Sequence, residues 1–216
     1  MSEKRRPIGV SPFERIAIFI DGWNFKCATY DGLRFKVDYL KLLDYFCQNA
    51  ILLRAYYYTG EWTEDAIDWF VKLKNFPNPE EKKREIKEQK VGEQGFWRFL
   101  NRNGYQVVRK PIRLFRDRTG EIRTKADLDL ELAVDMLTLA DRCEKQILIS
   151  GDGDFIPLIR AVGLRGVRIV VVSTFSPEAH TNAHYAANED LADAADEFID
   201  LVDLRKHIER EEEKRR

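Results

Sequence analysis

One stretch decides the fold of this chain: Gln-Ile-Leu-Ile-Ser-Gly-Asp-Gly-Asp-Phe, residues 146–155. Its apolar beginning is typical of a buried strand, which ends in two carboxylates, Asp152 and Asp154. Gly151 and Gly153 let the backbone turn sharply there, and a predicted helix begins at Phe155. Carboxylates that follow a parallel strand lie where open α/β sheets bind their ligands. The alternative is that both aspartates only cap the turn, as Asp residues beside Gly often do.

A second predicted strand ends in the same way. Residues 15–20 form a continuous apolar run rich in β-branched side chains, which indicates a central strand buried on both faces. Asp21 follows it, and Gly22-Trp23-Asn24 predicts a tight turn into a helix. Asn24 either caps that helix or reaches toward the ligand of Asp21. If the two strands are neighbours at the switch point of the sheet, their three aspartates share one crevice.

The rest of the chain alternates between predicted strands and predicted helices. We therefore predict an α/β fold, a doubly wound three-layer sandwich with a mainly parallel central sheet. Helices are expected at 37–48, 62–75, 96–103, 127–141, 155–164, 178–185 and 189–193, strands at 51–59, 105–109, 167–173 and 197–201, and a hairpin at 112–124. In the helix 62–75 we expect Trp69, Phe70 and Leu73 to be buried. We also expect the helix 127–141, which is strongly apolar, to be mostly buried.

Composition limits the class of protein. A chain of 216 residues with 44% hydrophobic and 34% charged residues suits one globular domain. No apolar run approaches the roughly 20 residues that span a bilayer, and no signal-type segment follows the basic start, so we expect a cytoplasmic protein without a membrane partner. Cys27, Cys47 and Cys143 are widely scattered, which favours reduced packing residues over a zinc site or a disulfide framework.

The net charge of -1 conceals an uneven distribution. Residues 96–125 contain nine basic and two acidic side chains, whereas residues 127–154 contain eight acidic and two basic ones. A basic block beside an acidic block is what a metal-dependent enzyme acting on a polyanion needs. The alternative is that the two blocks neutralise each other as surface ion pairs.

A fourth carboxylate is expected to join the crevice from the helix 127–141. Asp129 is close to the start of that helix, whereas Asp127, Glu131 and Asp135 fall on another face. Four carboxylates together need a compensating cation, and Mg²⁺ or Mn²⁺ prefers oxygen ligands. One ion could activate a water while a second stabilises the leaving oxygen in phosphodiester hydrolysis.

Several ordered motifs resemble the NYN domain of the LabA-like (DUF88) group. They are Ile-Phe-Ile-Asp-Gly-Trp-Asn at 18–24, Lys-Ala-Asp-Leu-Asp at 125–129 with Ala-Val-Asp-Met at 133–136, Ser-Gly-Asp-Gly-Asp-Phe at 150–155 and Ala-Ala-Asp-Glu-Phe-Ile-Asp-Leu at 194–201. The resemblance implies a PIN-like (Rossmann-like) fold, a metal-dependent ribonuclease activity and a metal site at Asp21, Asp129, Asp152 and Asp154. Asn24 and Ser150 match further positions of the family. Its middle motif often has Asn or Gly where this chain has Asp127, so either Asp127 or Asp129 faces the metal, and we favour Asp129.

The resemblance also suggests how the chain is divided. We expect an extension at 1–13, a NYN (PIN-like) domain at 14–204 with a basic helical and hairpin insertion at about 61–125, and a charged tail at 205–216. Lys125 and Arg123 are the expected phosphate contacts, because cations that neutralise phosphates release counterions. Trp23, beside Asp21, is expected to line the substrate groove, with Asn24 and Ser150 completing the binding residues.

Two functional hypotheses follow. The first is an endoribonuclease that uses Mg²⁺ or Mn²⁺ on single-stranded or structured RNA. The second is a non-catalytic regulator that binds a nucleic acid, a nucleotide or a partner protein through the same crevice. A homodimer is compatible with either. A small-molecule phosphatase is disfavoured, because the second aspartate expected two residues after Asp21 is replaced by Trp23.

Overall fold

The computed structural model describes residues 14–175 and 186–211. A single sheet of six parallel strands forms its centre, in the order β3-β2-β1-β6-β7-β8. These strands are β1 (Glu14–Asp21), β2 (Ala50–Glu61), β3 (Tyr105–Pro111), β6 (Lys145–Ile149), β7 (Arg168–Ser173) and β8 (Glu197–Asp200), and a separate antiparallel hairpin is formed by β4 (Arg113–Arg116) and β5 (Ile122–Lys125). The predicted α/β sandwich with a mainly parallel sheet is confirmed.

Helices cover both faces of the sheet. They are α1 (Gly22–Lys26), α2 (Tyr39–Cys47), α3 (Glu64–Lys74), α4 (Pro79–Arg102), α5 (Asp129–Leu139), α6 (Ile156–Gly163), α7 (Glu189–Ala194) and α8 (Leu201–Ile208). Residues from α1, α2, α4 and α8 pack on one face, and residues from α5, α6 and α7 pack on the other. The result is the three-layer arrangement of a doubly wound fold.

β1 can be the central strand because residues 16–20 are all apolar and all buried, while Arg15 before them is exposed. Ile18 and Ile20 pack toward the α2 layer, whereas Ala17 and Phe19 pack toward the α5 layer. β2 and β6 flank it, so the chain winds away from β1 in opposite directions on its two sides. The predicted switch point between the first strand and the strand that precedes Asp152 is therefore present, and ligands of such sheets bind outside the carboxyl ends of the strands at that point.

The apolar side of α3 differs from our prediction. Trp69 is 55% exposed and Leu73 also lies at the surface, whereas Ala66, Ile67 and Val71 are buried. Ile67 and Val71 form a small cluster with Ile86 of α4, and Phe70 packs at its edge. The helical period allowed either side to face inward, and the side with the compact β-branched residues fits against α4.

The helix predicted at 127–141 is shorter and less buried than expected. α5 begins at Asp129, and residues 140–142 continue it as a 3-10 turn. Leu132 and Met136 are buried against the sheet, but Leu130 is 70% exposed and Val134 is also exposed. Only one side of α5 contacts the sheet, so an apolar sequence on the other side stays at the surface.

The predicted insertion at about 61–125 is interrupted by β3, which pairs with β2 in the central sheet. Its charged stretch and the helix predicted at 96–103 form one continuous helix, α4. The β4–β5 hairpin is present as predicted and is linked to α3 by an ion pair between Lys74 and Glu121.

The C-terminal segment is joined to the α2 layer. Leu204 and Ile208 of α8 are buried, and Glu209 forms a β-bridge with Val37. The predicted charged tail from residue 205 therefore begins inside a packed helix. The helix predicted at 178–185 lies outside the described residues, and within those residues no helix is long and apolar enough to cross a membrane.

Candidate functional site

The carboxyl ends of β1 and β6 are tied together by side-chain hydrogen bonds. Asp21 accepts a bond from the backbone N–H of Asn24 at 3.1 Å, which caps α1, and a second from the hydroxyl of Ser150 at 3.3 Å. Asn24 in turn accepts a bond from the backbone N–H of Gly151 through Oδ1, at 2.9 Å. Asn24 and Ser150 thus hold the two turns in register. Asn24 was considered as a helix cap or as a residue that reaches the ligand of Asp21, but its side chain instead bridges the ends of β1 and β6.

Two glycines allow these turns to approach their neighbours. A Cβ atom at Gly22 would lie 2.6 Å from the carbonyl oxygen of Tyr58, and one at Gly151 would lie 2.6 Å from the hydroxyl of Ser173. Neither distance is compatible with a side chain. The sequence pattern Asp-Gly after β1 and Ser-Gly after β6 is therefore required by close packing at the edge of the sheet.

Asp152 is both a capping residue and a member of the site. It caps a short 3-10 turn by accepting the N–H of Asp154 through Oδ1 at 2.9 Å, and its own N–H donates to Ser150 at 3.2 Å. Its negative charge also raises the pKa of Asp21, although burial is the larger cause of that rise. Asp154 is exposed on the outer side of the same turn.

Asp129 brings a further carboxylate from the first turn of α5. Its pKa is raised to about 6, chiefly by burial and then by the charges of Asp127, Asp21 and Asp152, while Lys125 acts in the opposite direction. The charges of Asp21 and Asp152 both act on Asp129, and we term these three residues the acidic cluster. It lies at the switch point of the sheet, on the face covered by α5.

The two other acids considered from the sequence have different partners. Asp127 forms an ion pair with Lys125 at 3.1 Å, and this partner holds the pKa of Asp127 below its usual value. Asp135 accepts a hydrogen bond from the hydroxyl of Tyr58 at 2.9 Å. Asp135 therefore supports the wall beside the cluster, and Asp127 lies at its rim.

The chemistry of the cluster fits a hard divalent cation. All its donors are oxygens. The pKa values of Asp21 and Asp129 are raised chiefly by burial, and the neighbouring carboxylates, whose charge a cation would neutralise, raise them further. However, no group of three or more His, Cys, Asp or Glu side chains in residues 14–175 and 186–211 is arranged to hold a metal ion. Mg²⁺ commonly binds through one or two carboxylates and keeps waters in its other positions, and the carboxylate oxygens of Asp21 and Asp152 suit that mode.

The side chains predicted to contact the substrate differ in their exposure and in the ion pairs that they already form. Trp23 is 67% exposed beside Asp21, with the Lys26 ammonium 5.9 Å from its ring centroid. Lys125 is exposed and shares its charge with Asp127. Arg123 is engaged within the hairpin, at 3.0 Å from Asp117 and 2.9 Å from Glu121. Part of the basic block is thus neutralised by acids, as the ion-pair alternative proposed.

Two residues that line the site were not singled out from the sequence. Ser173, at the end of β7, is 1% exposed, and its hydroxyl has no hydrogen-bond partner within the described residues. Asn188 caps α7 and donates its N–H to the carbonyl of Gly151 at 3.1 Å. The available signals were a serine at the end of an apolar strand, similar to Ser150 directly after β6, and an asparagine directly before an acidic helix start.

Comparisons with known proteins place the chain in a family and show a similar fold. The NYN domain matches residues 15–204. The chain is 31% identical over 203 residues to the low amplitude and bright protein LabA of Synechococcus elongatus, covering 92% of this chain and 89% of the relative. A crystal structure of a protein of unknown function from Vibrio parahaemolyticus is similar in fold, with a TM-score of 0.61 at 22% identity, covering 87% of this chain and 93% of the other.

Proposed function

Because this chain belongs to the NYN domain family, whose members are typically nucleases, we propose that it is a metal-dependent endoribonuclease. The observation that carries the proposal is the acidic cluster at the switch point, where burial and mutual repulsion raise the pKa values of Asp21 and Asp129. A hydrolase that acts on phosphodiesters needs negative charge of this kind to bind a divalent cation beside the scissile phosphate.

Mg²⁺ or Mn²⁺, when bound, would supply a Lewis acid and a water of lowered pKa. Asp21 and Asp152 are the proposed direct ligands, since both turns are held rigid by Ser150 and Asn24. Asp129 closes the cluster from α5, and Asp154, being exposed, acts through water on the substrate side. Lys125 is the proposed phosphate contact, and Trp23 offers an exposed ring on which an unpaired base can stack.

The test is cleavage of a panel of labelled RNAs with Mg²⁺ or Mn²⁺, followed on denaturing gels. We expect cleavage by the wild type, none in EDTA, and a loss of about 100-fold or more in Asp21→Asn and Asp152→Asn, because several kcal/mol of charge stabilisation disappear with each ligand. Asp141→Asn is the matched control, since Asp141 is an exposed acid beyond the far end of α5. Intact RNAs with both metals, or full activity in Asp152→Asn, would contradict the proposal.

One observation favours a second function. Asp152 and Asn24 already serve as structural caps and bridges, and the described residues contain no three-ligand metal arrangement. A regulator that binds RNA, a nucleotide or a partner protein through the same crevice would need only a rigid crevice and no metal ligands. Tight RNA binding in EDTA, with no cleavage when Mn²⁺ is added, would favour that function.

A further inference from the structure

A groove of about 460 Å³ lies between the β4–β5 hairpin and the start of α5. Its volume falls within the usual range of ligand sites. The lining includes Lys110, Arg113, Phe115, Lys125, Asp127 and Leu130. We refer to it as the hairpin groove. It combines cations with two large apolar side chains that are open to solvent.

The register of the hairpin explains this combination. Arg113 lies opposite Lys125, and Phe115 lies two residues further along the same strand. Directly opposed residues of an antiparallel pair, and residues two apart, point to one face. Both cations and the aromatic ring therefore share one face of the hairpin. The ring of Phe115 is 45% exposed, and Leu130 provides a second apolar surface in the groove.

The charge of the groove is positive and only partly neutralised. Lys110 is held by Glu131 at 2.6 Å and by the carbonyl of Asp127, and Lys125 pairs with Asp127. The side chain of Arg113 has neither an ion pair nor a hydrogen bond within the part of the chain that the structure describes, whereas its backbone pairs with Lys125. An unpaired guanidinium beside an exposed ring favours a ligand that carries both negative charge and a flat apolar face.

The hairpin groove lies near the acidic cluster. Lys125 lines the groove, and its charge interacts with those of Asp129 and Asp152. Asp127, which forms part of the lining, lies two residues before Asp129. A chain bound in the groove would therefore lie close to the cluster.

We propose that the hairpin groove binds an unpaired nucleotide of single-stranded RNA, with the base stacked on Phe115 and the flanking phosphates on Arg113 and Lys125. This inference rests on the proposed function, since it takes RNA as the ligand of the site. A duplex does not fit this mode, because its bases are already stacked on one another and only an unstacked base can be splayed onto an aromatic ring.

The test is fluorescence anisotropy of the wild type in EDTA, with a labelled 12-nucleotide oligouridine and a duplex RNA of equal length. We expect Phe115→Ala to weaken binding of the single strand by about tenfold, because stacking of a base on an aromatic ring contributes about 1–3 kcal/mol. Phe115→Trp should bind as tightly as the wild type. Phe99→Ala is the matched control, since Phe99 is 41% exposed on α4.

Arg113→Gln tests the phosphate contact separately. We expect it to reduce the slope of log K against log salt by about 0.7, the value for one phosphate on a single strand, whereas Arg142→Gln before β6 leaves the slope unchanged. Circular dichroism of each variant checks that it is folded.

Equal binding by Phe115→Ala and wild type, equal losses in Phe115→Ala and Phe99→Ala, or no binding of the oligouridine by the wild type would overturn the inference. The inference would also be overturned if Phe115→Ala weakened only the binding of an acidic peptide or only the self-association of the protein. The groove would then be assigned to a protein partner. If binding behaves as expected but no RNA is cleaved with Mn²⁺, the proposed activity fails while the groove assignment stands.

Discussion

Individual aspartates in this protein can combine a structural role with the proposed chemical one. Asp152 caps a turn with one carboxylate oxygen, and the same side chain lies within the electrostatic range of Asp21 and Asp129. Capping uses Oδ1, and Oδ2 of Asp152 accepts no hydrogen bond from the residues that the structure describes. The sequence presented capping and ligand binding as alternatives, yet a carboxylate has enough acceptor positions for both.

Replacing Asp129 should make the metal-free protein more stable at neutral pH. Its pKa rises from 3.8 to about 6 on folding, mainly through burial, so the stability it contributes is fully present below pH 3.8 and is lost as the pH rises through 6. Asp129→Asn avoids that loss. We expect a gain of about 1 kcal/mol at pH 7.5 in EDTA, discounted because the group is half exposed, and no gain near pH 4.

Urea denaturation at the two pH values measures this difference, with Asp141→Asn as the control for removal of an exposed charge. A variant that is less stable than the wild type at pH 7.5 would show that Asp129 has a favourable partner in the metal-free state.

At the scale of elements, periodicity located the helices but did not determine which side they bury. In α3 the bulky Trp69 lies outside and Ile67 lies inside, against Ile86 of α4. In α5 the exposed side carries Leu130 and Val134. Both helices are apolar on more than one side, so the choice depends on which neighbouring element is available to cover them.

This arrangement predicts unequal effects of truncating two apolar residues of α3. Ile67→Ala should lower the free energy of unfolding by about 2–4 kcal/mol, because it leaves a cavity between α3 and α4. Trp69→Ala should lower it by less than about 1 kcal/mol, since the indole contacts mainly solvent and Lys72. Chemical denaturation of both variants measures the two free energies of unfolding. A larger loss of stability for Trp69→Ala than for Ile67→Ala would mean that the Trp69 side of α3 is covered.

At the scale of the whole molecule, the family match and the packed unit end at different residues. The NYN match stops at residue 204, whereas α8 continues to Ile208, which is fully buried. Two backbone bonds also join this segment to the strand-like residues before α2, from Asp38 N–H to Ile208 and from Arg210 N–H to Lys36, each 2.8 Å.

A chain ending at residue 204 should therefore be less stable than one ending at residue 211. We expect a loss of about 2–5 kcal/mol, comparable to removal of one buried Ile side chain, and a lower melting temperature by calorimetry. The chain ending at 211 retains all of these contacts and serves as the reference. Identical melting of the two truncated chains would mean that α8 contributes nothing to the folded state beyond residue 204.

The sequence by itself determined the α/β class, the central position of β1 and the location of Asp21 and Asp152 at strand ends. These features depend on local patterns: continuous apolar runs, a glycine shortly after β1 and after β6, and acids at the turns. Such signals are contained within a few consecutive residues, and they hold wherever the strand finally lies.

Only the tertiary structure decided which residues meet. The bridge from Asn24 to Gly151, the position of Ser173 behind that glycine, the pairing of Asp135 with Tyr58 and the groove between the hairpin and α5 all join segments distant in sequence. Burial of an apolar helix face is non-directional and depends on the surface available to cover it. A hydrogen bond or an ion pair depends on the distance between two atoms, and that distance is set by the packing of the whole chain.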